Sequence, residues 1–272
     1  MPFPPPLFRP TGAVLAAAGS LLALATLGGA AVPASAQAPH TRPRAAAPGN
    51  GGGPAVPELP AAEPGGAPAR ALPASVVRGR STQLITVSAL GTYATVTAWD
   101  KEDGTWRPAF STGRGRVGGN GVVDGAARKQ DTSTTPSGTY TLTEGFGLEP
   151  SRTAMPYTRV DDRHWWVEDT RSKYYNQMRT PEEMDYPLTT QGPHASEHLV
   201  DYPVQYAKAL VIDFNRWPAV PGRGAGIFLH VNGPGPTGGC VSVPYRTMDR
   251  ILRWITPSAH PVISIGWQPG PR

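Results

Sequence analysis

Phe228-Leu229-His230-Val231-Asn232-Gly233-Pro234-Gly235-Pro236-Thr237-Gly238-Gly239-Cys240-Val241-Ser242 leads from an apolar stretch, through a Gly/Pro loop, to the single cysteine of a 272-residue chain. The run from Gly226 to Val231 is short and apolar, as in a buried strand, and His230 sits at its end. Nine residues separate His230 from Cys240, five of them Gly or Pro before Gly239 is counted. A loop of that composition folds back on itself, so imidazole and thiol can come within hydrogen-bond reach. The pairing has chemical sense, because the thiolate is the nucleophile and an ordinary free thiol is mostly protonated at neutral pH. A neighbouring histidine, and the N-terminus of a helix expected from about Pro244, would both favour the charged sulfur. Gly238 and Gly239 leave room for backbone N–H groups, with that of Cys240, to face a developing oxyanion. The plainer alternative is a buried, inert cysteine. That alternative goes with apolar neighbours in sequence, whereas Thr-Gly-Gly precedes Cys240. No Asp or Glu lies near His230 in sequence, so a backbone carbonyl is expected to orient its ring.

Outward from this stretch the chain reads as short strands between Gly and Pro. Leu84 to Val87, Tyr93 to Trp99, Gly138 to Leu142, Ala209 to Phe214 and Val262 to Ile265 are β-branched or apolar runs. Met248, Ile251, Leu252 and Ile255 recur at helical spacing, with Pro244 near the first turn and Pro257 beyond the end. Residues 111–135 and 149–205 are polar or Gly/Ser/Thr-rich and read as long loops. Many short strands with one amphipathic helix argue for a mainly β fold, a β-sandwich or barrel-like core with the helix packed on it.

The first quarter of the chain is of another kind. Of the 64 Gly and Pro residues, 24 fall in residues 1–72, whereas all seven Trp and nine Tyr lie later, so the packed core is expected after residue 72. Arg9, the apolar stretch Gly12–Ala30 and Ala34-Ser35-Ala36 have the order of a secretory signal peptide over residues 1–36. A retained membrane anchor is the competing reading; Pro33 and the small-residue site favour cleavage, so no stable membrane insertion is expected afterwards. Residues 37–72, rich in Pro, Ala and Gly, cannot bury enough apolar surface to order themselves and are expected to form a disordered linker. The folded domain that carries Cys240 is placed at 73–272, and the protein outside the cytoplasm, secreted. An unpaired thiol retained there risks oxidation, which hints at reactivity. One cysteine rules out an intramolecular disulfide framework and any multi-cysteine metal site. The net charge of +5 comes without Lys/Arg blocks, so no nucleic-acid partner is expected.

The sequence resembles the L,D-transpeptidase (YkuD-like) catalytic domains of bacterial cell-wall enzymes over about residues 82–266. The signature His…(Ser/Thr)-x-Gly-Cys-(Val/Ile) is met by His230, Thr237, Gly239, Cys240 and Val241. Thr135-Pro136-Ser137-Gly138-Thr139-Tyr140, Trp166-Val167-Glu168-Asp169, Tyr175-Asn176 and Ser242-Val243-Pro244 support it. The commoner pattern has His-Gly, a longer interval and an Arg where Ser242 stands, so this chain looks like a shorter-loop exported actinobacterial type. The resemblance implies a cysteine acyltransferase that cross-links peptidoglycan stem peptides through a thioester, with Cys240 as nucleophile and His230 as base. It implies Gly238, Gly239 and Cys240 amides as the oxyanion hole, no cofactor and no metal. Thr237, Ser242, Trp166, Asp169, Tyr175 and Asn176 are then candidates for touching substrate, and carbapenems are expected inhibitors. A carboxypeptidase or amidase using the same residues, and a non-catalytic wall-binding module, remain open.

Other motifs compete. His194-Ala195-Ser196-Glu197-His198 matches the inverted zinc-protease pattern, but Pro193 and Pro203 leave room for barely two helical turns. Trp165-Trp166 beside His164 could form a stacking platform, although aromatic pairs are more often core. Gly113 to Gly119 is Gly-rich and basic, yet no helical run follows it as in a phosphate loop. His260, before Pro261 at a strand start, reads as structural.

Overall fold

Leu84 to Val87 and Tyr93 to Trp99 build the first hairpin among the described residues, 79–268, of a computed structural model of the protein. The expected signal peptide and linker lie outside the described residues. The hairpin strands are β1 (Gln83–Leu90) and β2 (Tyr93–Glu102), turning at Gly91, whose φ of 59° is left-handed. β3 (Thr105–Arg116) follows, and its end corrects the expected loop from 111. Pro108 and three arginines mask its alternation, and register shifts against β2 at Ala94/Val96 and Ala98/Trp99 break it further. β4 (Val122–Asp124) and the long β5 (Thr135–Gly147) also cut into that stretch. The second expected loop, 149–205, contains β6 (Tyr157–Arg159), β7 (Trp165–Trp166), β8 (Met178–Arg179) and β9 (Glu197–His198). β10 (Ala209–Ile212), β11 (Phe228–Val231), β12 (Val241–Val243), α1 (Tyr245–Trp254) and β13 (Val262–Trp267) complete the fold.

The main sheet runs β10-β11-β12-β3-β2-β1-β13-β5, and β5 pairs back onto β10, which closes a barrel-like ring. β7, β8 and β9 form a separate small sheet. The fold is mainly β, with α1 the one α-helix among the described residues. Strand alternation sorts side chains to two faces. Ile85, Val87, Val96, Leu210, Leu229, Val231, Val241 and Ile263 meet in one cluster, into which α1 lays Met248, Ile251 and Leu252. The helical spacing of those three is what the sequence pattern requires. The other face of β5, β10 and β11 carries Phe146, Val211 and Phe228 into a second cluster with Trp166, Tyr206 and Cys240. The candidate nucleophile therefore sits on the rim of a packed aromatic layer, away from the barrel interior.

Candidate active site

β11 and β12 are parallel neighbours, with Leu229 opposite Val241 and His230 opposite Ser242. Leu229, Val231, Val241 and Val243 take one face, so Phe228, His230, Cys240 and Ser242 share the other. Cys240 and His230 thus become diagonal neighbours, and both open into a cavity of about 710 Å³. The loop between them is pinned at Thr237. Its N–H donates to the Val117 carbonyl at 3.0 Å, its own carbonyl accepts from Gly119 N–H at 2.9 Å, and its hydroxyl donates to the Cys240 carbonyl at 2.7 Å. Thr135 donates to that same carbonyl at 3.0 Å. Two hydroxyls fix the nucleophile's backbone. Gly239 is required by the loop: its φ is 144°, and a Cβ there would lie 2.8 Å from the Arg128 guanidinium and 3.0 Å from the Thr134 carbonyl.

The Cys240 sulfur donates to the Gly226 carbonyl at 3.2 Å and accepts the Phe228 N–H at 3.3 Å. His230 is not among its hydrogen-bond partners. Burial pushes the thiol well above its usual range, and the charges of Glu197 and Glu168 add to that shift. His230 Nδ1 lies 2.7 Å from the Val231 carbonyl, which can only accept. The ring proton is therefore on Nδ1, and Nε2 keeps the lone pair a base needs. Burial pushes the imidazole down to about 4. At neutral pH the resting pair is thiol and imidazole, so in this resting geometry the neighbouring histidine does not give the charged sulfur that the sequence favoured. The helix gives no help either. α1 begins five residues past Cys240 along extended chain, about 15 Å at a strand's rise, and a helix terminus acts only within about a turn.

The structure separates the candidate site residues into two groups. The Gly239 N–H donates to Thr237 Oγ1 at 3.2 Å, so it is spent and leaves the expected oxyanion hole. The N–H groups of Gly238 and Cys240 have no protein acceptor among the described residues. Thr237 lines the cavity, though its hydroxyl is committed to Cys240. Ser242, Trp166, Asp169, Tyr175 and Asn176 do not line it. Ser242 is fully buried and donates to Asn232 Oδ1 at 2.7 Å. Trp166, also fully buried, stands edge-on to Phe228 at 4.8 Å, so it is core rather than a stacking platform. Asp169 is held by Arg171 at 2.7 Å and lies 3.2 Å from His194. The Tyr175 hydroxyl donates to Gln130 at 2.7 Å and accepts Gly224 N–H at 3.1 Å.

Asn176 is the hub of this wall. Its Oδ1 accepts from Trp166 Nε1 at 2.9 Å and from Gly226 N–H at 3.1 Å, and its Nδ2 donates to Phe214 and Asn215 carbonyls at 3.0 and 2.8 Å. That uses the amide's full capacity. Gly226 in turn holds the thiol, so Asn176 reaches the sulfur through one residue.

Arg128, Glu168 and Glu197 also line the cavity, although nothing in the local sequence marks them as belonging to the thiol's site. Arg128, almost fully buried, donates from Nε to the Thr134 carbonyl at 2.8 Å and from Nη1 to the Arg223 carbonyl at 3.2 Å, with its guanidinium against Gly239. Glu168 and Glu197 open into the same cavity. Glu197 comes from the zinc-like motif, which the fold takes apart. Glu197–His198 is strand, His198 stacks on Trp165 at 4.3 Å, and His194 turns to Asp169. Among the described residues no three His, Cys, Asp or Glu side chains converge as a metal site. His194→Ala and His198→Ala are each expected to change turnover less than about twofold, and a zinc chelator to leave it unchanged. Loss of stoichiometric zinc together with activity would reverse that expectation.

Among curated proteins nothing matches. Among solved structures, the chain is similar to the helical cell shape determining protein Pgp2 from Campylobacter jejuni, at 12% identity and a TM-score of 0.35, over 70% of this chain and 49% of that one. A mutant of the same protein is similar at 13% identity and a TM-score of 0.34, over 70% of this chain and 48% of the other. The chain spans about half the length of that protein. The family model described as the L,D-transpeptidase catalytic domain, YkuD, matches residues 83–263, from the start of β1 into β13 and across Cys240 and His230. With most of its length matched, the chain belongs to the YkuD family of L,D-transpeptidase catalytic domains.

Proposed function

We propose that this chain is an exported cysteine L,D-transpeptidase that remodels peptidoglycan stem peptides through a thioester on Cys240. The observation that carries the reading is the presentation of Cys240 and His230 from adjacent parallel strands into one cavity. Because the resting thiol is neutral, it loses its proton as it attacks. A turn of its side chain away from the Gly226 carbonyl frees the sulfur, and His230 Nε2 takes the proton. The sulfur adds to the carbonyl of an L-centre–D-centre amide in the donor peptide. Negative charge on the carbonyl oxygen faces the Gly238 and Cys240 amides, and the Arg128 guanidinium behind Gly239 supports it. Collapse breaks the C–N bond, and His230 returns the proton to the leaving D-amino acid. An amine of a neighbouring stem then takes the acyl group, and the thiol is restored.

Incubation of the full-length protein with purified muropeptides, followed by mass spectrometry, tests the reaction. Cross-linked dimers with release of the terminal D-residue are expected. Hydrolysed stems alone would make it a carboxypeptidase or amidase, and unchanged muropeptides would favour a wall-binding module. Export rests on residues 1–36, and protein recovered from outside the cell should begin at Gln37.

The pH dependence of acylation follows from burial of His230. The base must be neutral, and its ring is neutral above about 4 rather than above 6.5. The rate of Cys240 acylation is therefore expected to hold from pH 7 down to about 5 and to fall through about 4. An acid limb centred near 6.5 would show that His230 is solvated in the working enzyme.

A further inference from the structure

We propose that Glu168 and Glu197 form the acceptor end of the cavity, binding the ammonium group of the incoming amine and removing its proton before attack on the thioester. This rests on the acyl-transfer reading above. The small sheet brings the pair together: Trp166 lies opposite Glu197 in the β7–β9 register, and the Glu168 N–H donates to Ser196 Oγ at 3.0 Å. Both side chains open into the cavity that holds Cys240 and His230. The Glu168 carboxylate packs over Gly226, where no Cβ stands in its way, and Gly226 is the residue whose carbonyl holds the thiol.

The pair is under-compensated. Glu197 accepts from the Tyr206 hydroxyl at 2.6 Å, while no protein donor among the described residues reaches the half-buried Glu168 carboxylate. Neither forms an ion pair among the described residues; Arg128 acts on Glu168 from a distance, and Asp131 opposes it. Burial pushes both carboxyls up, Glu197 to about 7 against the downward pull of the Tyr206 hydrogen bond, and the charge of Glu197 adds to the shift of Glu168. Two acids lining one cavity, neither in an ion pair among the described residues and with Arg128 the one cation near them, leave a charge that a ligand's ammonium can match. A primary ammonium supplies both a charge and donors. The reaction needs such a step, since an amine that is protonated at neutral pH has no lone pair for attack.

The step balances. The ammonium gives one proton to a Glu carboxylate and becomes the free amine. Its nitrogen adds to the thioester carbonyl, the new C–N bond forms and the C–S bond breaks. The second N–H proton passes through His230 to the departing sulfur, and the Glu proton returns to water. Tyr206 lies between the two ends, its ring 5.6 Å from that of His230 and its hydroxyl on Glu197.

The test measures how one donor stem peptide partitions between amide and hydrolysed product in full-length protein. The probes are Nα-acetyl-lysine, which is protonated at neutral pH, and trifluoroethylamine, which is not. Glu168→Gln and Glu197→Gln should each lower the amide-to-acid ratio for Nα-acetyl-lysine by at least about tenfold, and change it less than about twofold for trifluoroethylamine. Equal losses for both amines, or no loss for either, would overturn the proposal. Melting temperatures identify a variant that fails to fold; Glu168, whose carboxylate has no hydrogen-bond donor to lose among the described residues, then carries the comparison. Calorimetric binding of Nα-acetyl-lysine to Cys240→Ala protein reads the site without turnover. Binding at least about tenfold weaker with either Gln variant supports the cation site even if no acyl-enzyme forms, in which case the acyl-transfer reading alone fails. Binding indifferent to both variants overturns the site.

Discussion

Cys240→Ala is expected to abolish turnover on stem peptides, by about ten-thousand-fold or more, because the variant has nothing to form the thioester with. The fold should survive. Alanine leaves the Phe228 N–H without its sulfur acceptor, a cost of about 1–2 kcal/mol. The backbone at 240 stays clamped by Thr135 and Thr237, whose hydroxyls bond its carbonyl rather than its side chain. The same variant decides an inhibition experiment. A carbapenem should be opened by Cys240: the sulfur–carbonyl bond forms, the lactam C–N bond breaks, and the nitrogen takes the proton. Intact mass should rise by one drug molecule, mapped to Cys240 and absent in Cys240→Ala. Full activity in the variant would remove the thiol from the mechanism. Loss of activity together with loss of fold would return the cysteine to a packing role.

Asn176→Ala is expected to cost about 4 kcal/mol of stability and most of the activity. The substitution orphans the Trp166 Nε1 and Gly226 N–H donors and two carbonyls, each worth about 1–3 kcal/mol when buried without a partner. It also forces a Cβ residue other than Asn into the left-handed region, at φ 61°. Gly226 then shifts, and with it the carbonyl that holds the thiol. Chemical denaturation and the rate of Cys240 acylation measure the two effects. A residue that merely touched substrate would raise KM and leave the melting temperature alone, and that result would move Asn176 from the supporting wall to the substrate surface.

Much of this molecule can be read from local sequence. Leu84 to Val87, Tyr93 to Trp99 and Val262 to Ile265 form strands because β-branched and apolar residues alternate there without interruption. α1 follows from Met248, Ile251 and Leu252. The juxtaposition of His230 and Cys240 in one cavity follows from a strand, a Gly/Pro loop and a second strand that are consecutive in the chain. β3 escaped because Pro108 and bulged registers interrupt its pattern. The shared cavity of Arg128, Glu168 and Glu197 escaped for a different reason. Arg128 and Glu168 lie in irregular segments and Glu197 in the two-residue strand β9, and only tertiary closure makes them neighbours. Trp166, Tyr175 and Asn176 stood out in sequence, but nothing local distinguishes the wall of a site from its surface. Burial makes that distinction, and burial is a property of the whole fold.

The ring order bears on how this protein comes to be active. β1 and β13 are parallel neighbours, so Leu84 pairs with Val262 although nearly the whole domain lies between them. The barrel cannot close on a growing or partly threaded chain, because its closing strand is made last. Such long-range parallel pairing is slow, typically milliseconds to seconds for a domain dominated by distant contacts. Until β13 docks, the sheet stays open between β1 and β5, and the thiol's partners at Gly226 and Phe228 are held by a sheet whose ring is not yet closed. Where this chain folds in an oxidising medium, as the proposed export would require, β13 docking and sulfur chemistry compete in time for the one cysteine.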